Sequence, residues 1–278
     1  MRYVLSILLL LVGGLAPAAP MKNWVGVKAI TSLDGRLYVA QQVEVLDVRL
    51  YEVDPKSLEA RRIGGNTSYP NPRMTSFQGK LYLVHGVPGQ TALAEVDPRT
   101  GTRKLLGTKD WTGAEAIAAA AGQLFITQRV ATYDVRLFRV DPSTGEATRV
   151  GRASFPNSRM TSLNDKLYLI NGIPKQMSLS EVDPKTGQWK NLGQRDWTGA
   201  VALTQLGPDL YVTRRYNEVD VRLFRVKPGT GEAERVGDYA FPNSVLTALG
   251  DRLYIVCGIP GDMILVELNP ATAQRTVR

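Results

Sequence analysis

One cysteine and one histidine are all that the 278 residues contain of either kind. A lone cysteine, Cys257, has no intramolecular partner, so a disulfide scaffold is excluded. A lone histidine, His85, does not make a histidine metal cage. No Gly-rich phosphate loop follows a strand and opens a helix, so a nucleotide fingerprint is missing. No basic-aromatic run of the kind nucleic-acid readers use is present either. Nucleic acid is therefore disfavoured as a partner, although Lys and Arg outnumber Asp and Glu by 34 to 26. At 44% apolar and 22% charged residues, the composition is that of a folded globular chain.

Long apolar runs are lacking too. The stretch Val4–Leu15 is too short for the roughly 20 residues of a membrane-spanning helix. It follows Arg2 and precedes Ala16-Pro17-Ala18, small residues at the positions a signal peptidase reads. The reading is a signal peptide over residues 1–18, cleaved after Ala18. The expected product is exported, periplasmic or extracellular, and soluble after cleavage. No cysteine near the cleavage site offers a lipid anchor.

What the chain does have is repetition. A Leu-aromatic pair recurs at Leu37-Tyr38, Leu81-Tyr82, Leu124-Phe125, Leu167-Tyr168, Leu210-Tyr211 and Leu253-Tyr254, with spacings of 44, 43, 43, 43 and 43. A turn follows each pair, as in Asp97-Pro98, Asp141-Pro142 and Asp183-Pro184, and several continue into Thr-Gly. Proline cannot donate to a sheet and glycine accepts positive φ, so these clusters end strands. Each repeat reads as four short strands; in the third they are Glu115–Ala120, Leu124–Gln128, Val135–Val140 and Ala147–Val150. A four-stranded unit of this length is the period of a propeller blade. The expected fold is all-β: one six-bladed β-propeller of antiparallel blades over residues 21–278. The last blade is expected to be complete, with no strand borrowed from the N-terminus, and ring closure to rest on side-chain packing.

A second period overlies the first. Odd repeats carry Asn23-Trp24, Asp110-Trp111 and Asp196-Trp197; even repeats carry Tyr69-Pro70-Asn71, Phe155-Pro156-Asn157 and Phe241-Pro242-Asn243. Residues 21–278 make three units of 86, so the ring is expected to have pseudo-threefold symmetry. The run Leu137–Gly151, with its KLYLI and DWTGA companions, resembles the repeats of bacterial exported β-propellers of the tectonin-like, kelch-like and PQQ-like kind. That resemblance implies the architecture and says little about activity.

Topology assigns the loops to faces. Turns between strands one and two, and three and four, share one side. Loops between strands two and three, and between blades, share the other, which is the candidate functional face. Its repeated aromatic, acidic, amide and guanidinium groups suit a sugar: apolar ring faces stack while planar polar groups pair with hydroxyls. The candidate ligand-binding residues are Trp111, Trp197, Asp110, Asp196, Asn71, Asn157, Arg73 and Arg159. The competing reading of the tryptophans is that they fill wedges between blades, and of the aspartates that they cap turns. Asp47-Val48-Arg49, Asp134-Val135-Arg136 and Asp220-Val221-Arg222 place Asp and Arg on one strand face, where they are expected to pair.

Catalytic signals are sparse. His85, Asn171 and Cys257 are sequence equivalents on different blades, a poor ligand set and too far apart for a nucleophilic pair. Among the first strands, which line the channel, Glu115 is the lone carboxylate, whereas acid/base chemistry uses two groups in contrasting environments. The leading expectation is a non-catalytic binding module for an envelope polysaccharide or a protein partner, monomeric, with no cofactor and no metal. The alternative is a propeller enzyme, a lactonase-like hydrolase or a lyase, with a channel active site. Basic residues on the fourth strands, among them Arg61, Arg103, Lys190 and Arg235, are expected to guard exposed sheet edges.

Overall fold

Residues 22–276 are described by a computed structural model, and the regular elements among them are all strands. The signal peptide read over residues 1–18 lies outside the described residues. Six sheets each take four consecutive strands, antiparallel and in chain order, from the channel outward. The innermost strands are Val27–Leu33, Arg73–Phe77, Ala114–Ala120, Arg159–Leu163, Ala200–Leu206 and Val245–Leu249. The chain is a six-bladed β-propeller. Its last blade is built wholly from the last four strands, so no strand is borrowed.

The Leu-aromatic pair explains why the blades must stack. Neighbouring residues on a strand point to opposite sheet faces. Leu81 therefore enters the apolar cluster shared by blades 1 and 2, while Tyr82 enters that shared by blades 2 and 3. The same division holds around the ring: Leu124 packs backward and Phe125 forward, Leu253 backward and Tyr254 forward across the closing seam. All six leucines are fully buried. A single blade would leave both of its apolar faces in water, so the ring is the unit of stability.

Each seam holds one large aromatic from the segment that leads into the following blade. Trp24, Trp111 and Trp197 fill three seams; Tyr69, Phe155 and Phe241 fill the alternate three. The backbone N–H of each donates to a carbonyl on the third strand of the preceding blade, as in Trp111 to Thr91 at 2.7 Å and Phe155 to Val135 at 2.8 Å. Trp24 makes the same bond to Met263 at 2.8 Å, across the joint between blades 6 and 1. Asn23 adds a bond from Nδ2 to the Gly261 carbonyl, and Ser32 Oγ donates to the Ala248 carbonyl. Ring closure thus uses backbone and side-chain hydrogen bonds as well as the side-chain packing expected from sequence.

The opposite face is plain. In each Asp-Pro-x-Thr-Gly turn the carboxylate accepts two backbone N–H groups, for example Asp97 from Arg99 and Thr100. Those bonds hold the Asp97 carboxyl below the usual carboxylate range.

Candidate functional site

The blade-opening loops owe their shape to local bonding. Asp110 Oδ1 accepts the Thr91 N–H, the Thr112 N–H and the Thr112 hydroxyl at 2.8–3.0 Å, and the Thr112 bonds hold its pKa below the ordinary aspartate value. Asp196 repeats this with Met177 and Thr198. In the following Trp-Thr-Gly, Gly113 has φ +85°, and a Cβ there would come within 2.4 Å of the Arg129 carbonyl oxygen. Glycine is required at that close approach. Gln128 Nε2 ties the loop down through the Asp110 and Thr112 carbonyls, as Gln41 does for the Asn23 loop. Asp110→Ala is expected to lower stability by about 1–2 kcal/mol, because it strips three donors from one charged acceptor. Asp110→Asn keeps Oδ1, as Asn23 does naturally, and is expected to cost much less; thermal unfolding of the two variants separates them.

Trp111 and Trp197 are fully buried. Each meets a phenylalanine edge-on, Phe138 at 5.7 Å and Phe224 at 5.9 Å between ring centroids. Lys109 and Arg195 lie over the two indoles at 5.0 and 5.7 Å. Neither tryptophan offers a ring face to a sugar, and the covering cations are residues that sequence reasoning passed over. Their signal was present: a basic residue stands two places before each of the three seam tryptophans, at Lys22, Lys109 and Arg195.

Asn71 and Asn157 occupy left-handed backbone, φ 50° and 57°, and bond through Nδ2 to the Gly86 and Gly172 carbonyls. Arg73 and Arg159 behave differently, because they reach across to the next blade. Arg73 Nε donates to the Glu115 carbonyl at 2.8 Å, and Arg159 Nε to the Val201 carbonyl at 2.9 Å. These acceptors sit at irregularities in the first strands of blades 3 and 5, where one residue is skipped in the pairing. Such bulges re-aim the chain at a rim. Around the channel mouth the corresponding positions read Lys28, Arg73, Glu115, Arg159, Val201 and Val245. The rim is charged on one side and apolar on the other.

Glu115 is fully engaged. Arg129 pairs with Oε1, and Oε2 accepts the Ser158 N–H at 2.7 Å and its hydroxyl at 3.1 Å. Below the rim the channel holds a cavity of about 230 Å³. Its wall carries Thr31, Thr75, Thr161, Thr204 and Thr247, with Ala118 at the sixth position. A carboxylate locked in an ion pair, above a threonine ring, is poorly arranged for proton transfer.

The remaining sequence candidates are structural. Asp47–Arg49, Asp134–Arg136 and Asp220–Arg222 pair at the start of the third strands at 2.6–2.7 Å. His85 packs edge-on against Tyr69, between blades 1 and 2, while Cys257 lies in the cluster between blades 5 and 6. No group of three His, Cys, Asp or Glu side chains suited to a metal occurs among the described residues. No helix among them is long and apolar enough to cross a membrane.

Exposed apolar side chains single out one face. Of the thirteen large ones among the described residues, eleven project from the loop face. The odd blades each supply a pair from the loop after their second strand: Val45 and Leu46, Val130 and Tyr133, Tyr216 and Val219. Ile173 and Ile259 add even-blade members. The two elsewhere, Leu105 and Trp189, lie on fourth strands. No sequence family matches the chain, and no curated protein is similar to it in sequence. Solved structures are similar in fold. TolB from Acinetobacter baumannii superposes at a TM-score of 0.60 with 14% identity, over 87% of this chain and 65% of that one. A chain of the nidogen/laminin complex gives 0.63 with 12% identity, over 90% and 91%. Puromycin hydrolase gives 0.58 with 12% identity, over 94% and 54%, so this chain spans about half its length. At such identities the likeness is one of fold.

Proposed function

We propose that the chain is an exported, non-catalytic binding module that docks a protein partner on its loop face. The observation that carries this reading is the crown of exposed apolar side chains, repeated with the threefold period around the channel mouth. Exposed apolar groups gathered on one face are the usual mark of an interaction site. A propeller chain of similar fold occurs in a nidogen/laminin complex, which is compatible with a protein partner here. A glycan has less support, since the tryptophans that suggested sugar stacking are buried. An enzymatic role is not favoured, because Glu115 is committed to Arg129 and Ser158. Export rests on the signal-peptide reading of residues 1–18.

The test is capture of a partner from an envelope extract by parent and variant proteins, each checked for folding. Val45→Glu with Leu46→Glu, Tyr133→Glu and Val219→Glu are expected to lose the partner by tenfold or more. Leu105→Glu and Trp189→Glu, on the outer strands, are expected to retain it. The reverse pattern refutes the loop face as the docking surface.

A further inference from the structure

The channel mouth holds two guanidinium groups that form no ion pair with a carboxylate among the described residues. Arg73 uses Nε on the Glu115 carbonyl and Nη1 on the Pro72 carbonyl; Arg159 uses Nε on the Val201 carbonyl and Nη1 on the Ser158 carbonyl. Each therefore has N–H groups to spare, since a guanidinium carries five. Neither makes an ion pair among the described residues. Glu115 cannot turn toward them, because both of its oxygens are taken by Arg129 and Ser158. Arg73 is solvent-accessible but stands in a concavity with protein around it. Burial there, and then the charge of Arg159, hold its pKa below the ordinary arginine value, with Glu115 opposing. A guanidinium pinned by carbonyl oxygens and lacking an ion-pair partner is stabilised by an anion that reaches it.

A pocket stands ready beside one of them. Asn71, Arg73, Thr91, Trp111 and Thr112 line a space of about 110 Å³ in the seam between blades 2 and 3. The pseudosymmetry explains the space: Thr91 corresponds to Met177 and Met263 in the other two seams of this type, and both methionines are buried. The smaller threonine leaves room for a few waters, or for one carboxylate and its attached carbon. The third arginine position is occupied by Val245, so the site is off-centre.

We propose that this mouth is a carboxylate-binding site, in which the pre-set forks of Arg73 and Arg159 grip an acidic side chain or a chain terminus of the docked partner. The inference rests on the docking reading above and adds the chemistry of what the partner presents. A planar fork fixed in advance favours bidentate carboxylate recognition and loses little freedom on binding.

The test follows the arginine Nε–Hε resonances of the purified protein by NMR while small probes are added. The probes are succinate, acetyl-Ala-Glu-Ala-amide, acetyl-Ala-Ala-Ala with a free C-terminus, acetyl-Ala-Gln-Ala-amide and inorganic sulfate. Saturable shifts at Arg73 and Arg159 are expected with the carboxylate probes and not with the glutamine peptide. Whichever acidic peptide binds tighter identifies a side chain or a terminus as the source. Arg73→Gln and Arg159→Gln are each expected to weaken binding about tenfold or more, and Arg73→Lys by less. The proposal is overturned by equal binding of the glutamine peptide or sulfate, by no saturable shift up to roughly 100 mM probe, or by unchanged affinity in the glutamine variants. If the apolar-crown variants lose partner capture while Arg73→Gln with Arg159→Gln keeps it in full, the carboxylate site falls and the docking face stands.

Discussion

Trp111→Ala is expected to cost about 3–5 kcal/mol of folding stability, the range for truncating a buried large aromatic. The indole is fully buried and spans a seam, with Tyr82, Val84, Leu93 and Leu106 of blade 2 on one side and Ile117, Leu124, Ile126 and Val140 of blade 3 on the other. Removing it opens a cavity between blades that meet only through such side chains and a few hydrogen bonds, and it ends the edge-on contact with Phe138. In a chain of this size the loss corresponds to a fall in Tm of roughly 10 °C. Trp111→Phe is expected to cost far less. The indole N–H is buried without a partner among the described residues, so exchanging it for an apolar ring removes an unmet polar group while keeping most of the volume. Calorimetry of the two variants checks this. If Trp111→Ala melts within about 1 °C of the parent, the seam-filling role is wrong.

The same tryptophan shows where sequence reading succeeds and where it stops. Period decided the architecture, because a Leu-aromatic pair repeated every 43 or 44 residues leaves both faces of each sheet apolar, and only stacking covers them. The paired Asp134 and Arg136 were legible for a similar reason, as two-residue spacing fixes a shared face. Composition alone could not separate Trp111 as a ligand platform from Trp111 as a wedge, since both roles ask for an aromatic beside a polar loop. The decision lay in Lys109 and Phe138, which come from different segments and meet only in the folded ring. Arg73 and Arg159 show the opposite case. Their Pro-Asn-x-Arg context is shared, yet their reach to the next blade depends on bulges at Glu115 and Val201, which leave no mark in the hydrophobic pattern. The apolar crown escaped because single valines and tyrosines in loops are ordinary; only their gathering on one face has meaning.

Stability is expected to fall as pH drops from about 6.5 to 4 through one buried side chain, His85. Burial, and then the charge of Arg103, push its pKa down to about 4. Neither ring nitrogen has a hydrogen-bond partner among the described residues, and Tyr69 closes over it edge-on at 5.2 Å. Between the folded value and the unfolded value near 6.5, the unfolded chain takes up a proton that the folded chain refuses. Stability therefore rises with pH across that window, is fully present above it, and changes no further below it through this group. The span corresponds to about 3 kcal/mol. His85→Leu removes the group, and the chain already tolerates Cys257 at the matching position of blade 6, buried and apolar in surroundings. Urea unfolding of parent and variant at pH 7 and pH 4 is the measurement. The variant is expected to be no less stable at pH 7, because two unpaired nitrogens leave with the imidazole. Carboxylates such as Asp97 and Asp141, held below the ordinary aspartate value by their turn bonds, stay largely ionised at pH 4 in both proteins and cancel in the comparison. The variant should then gain about 3 kcal/mol on the parent between pH 7 and pH 4. Two curves that stay parallel would mean that His85 is protonated as easily in the fold as in the open chain.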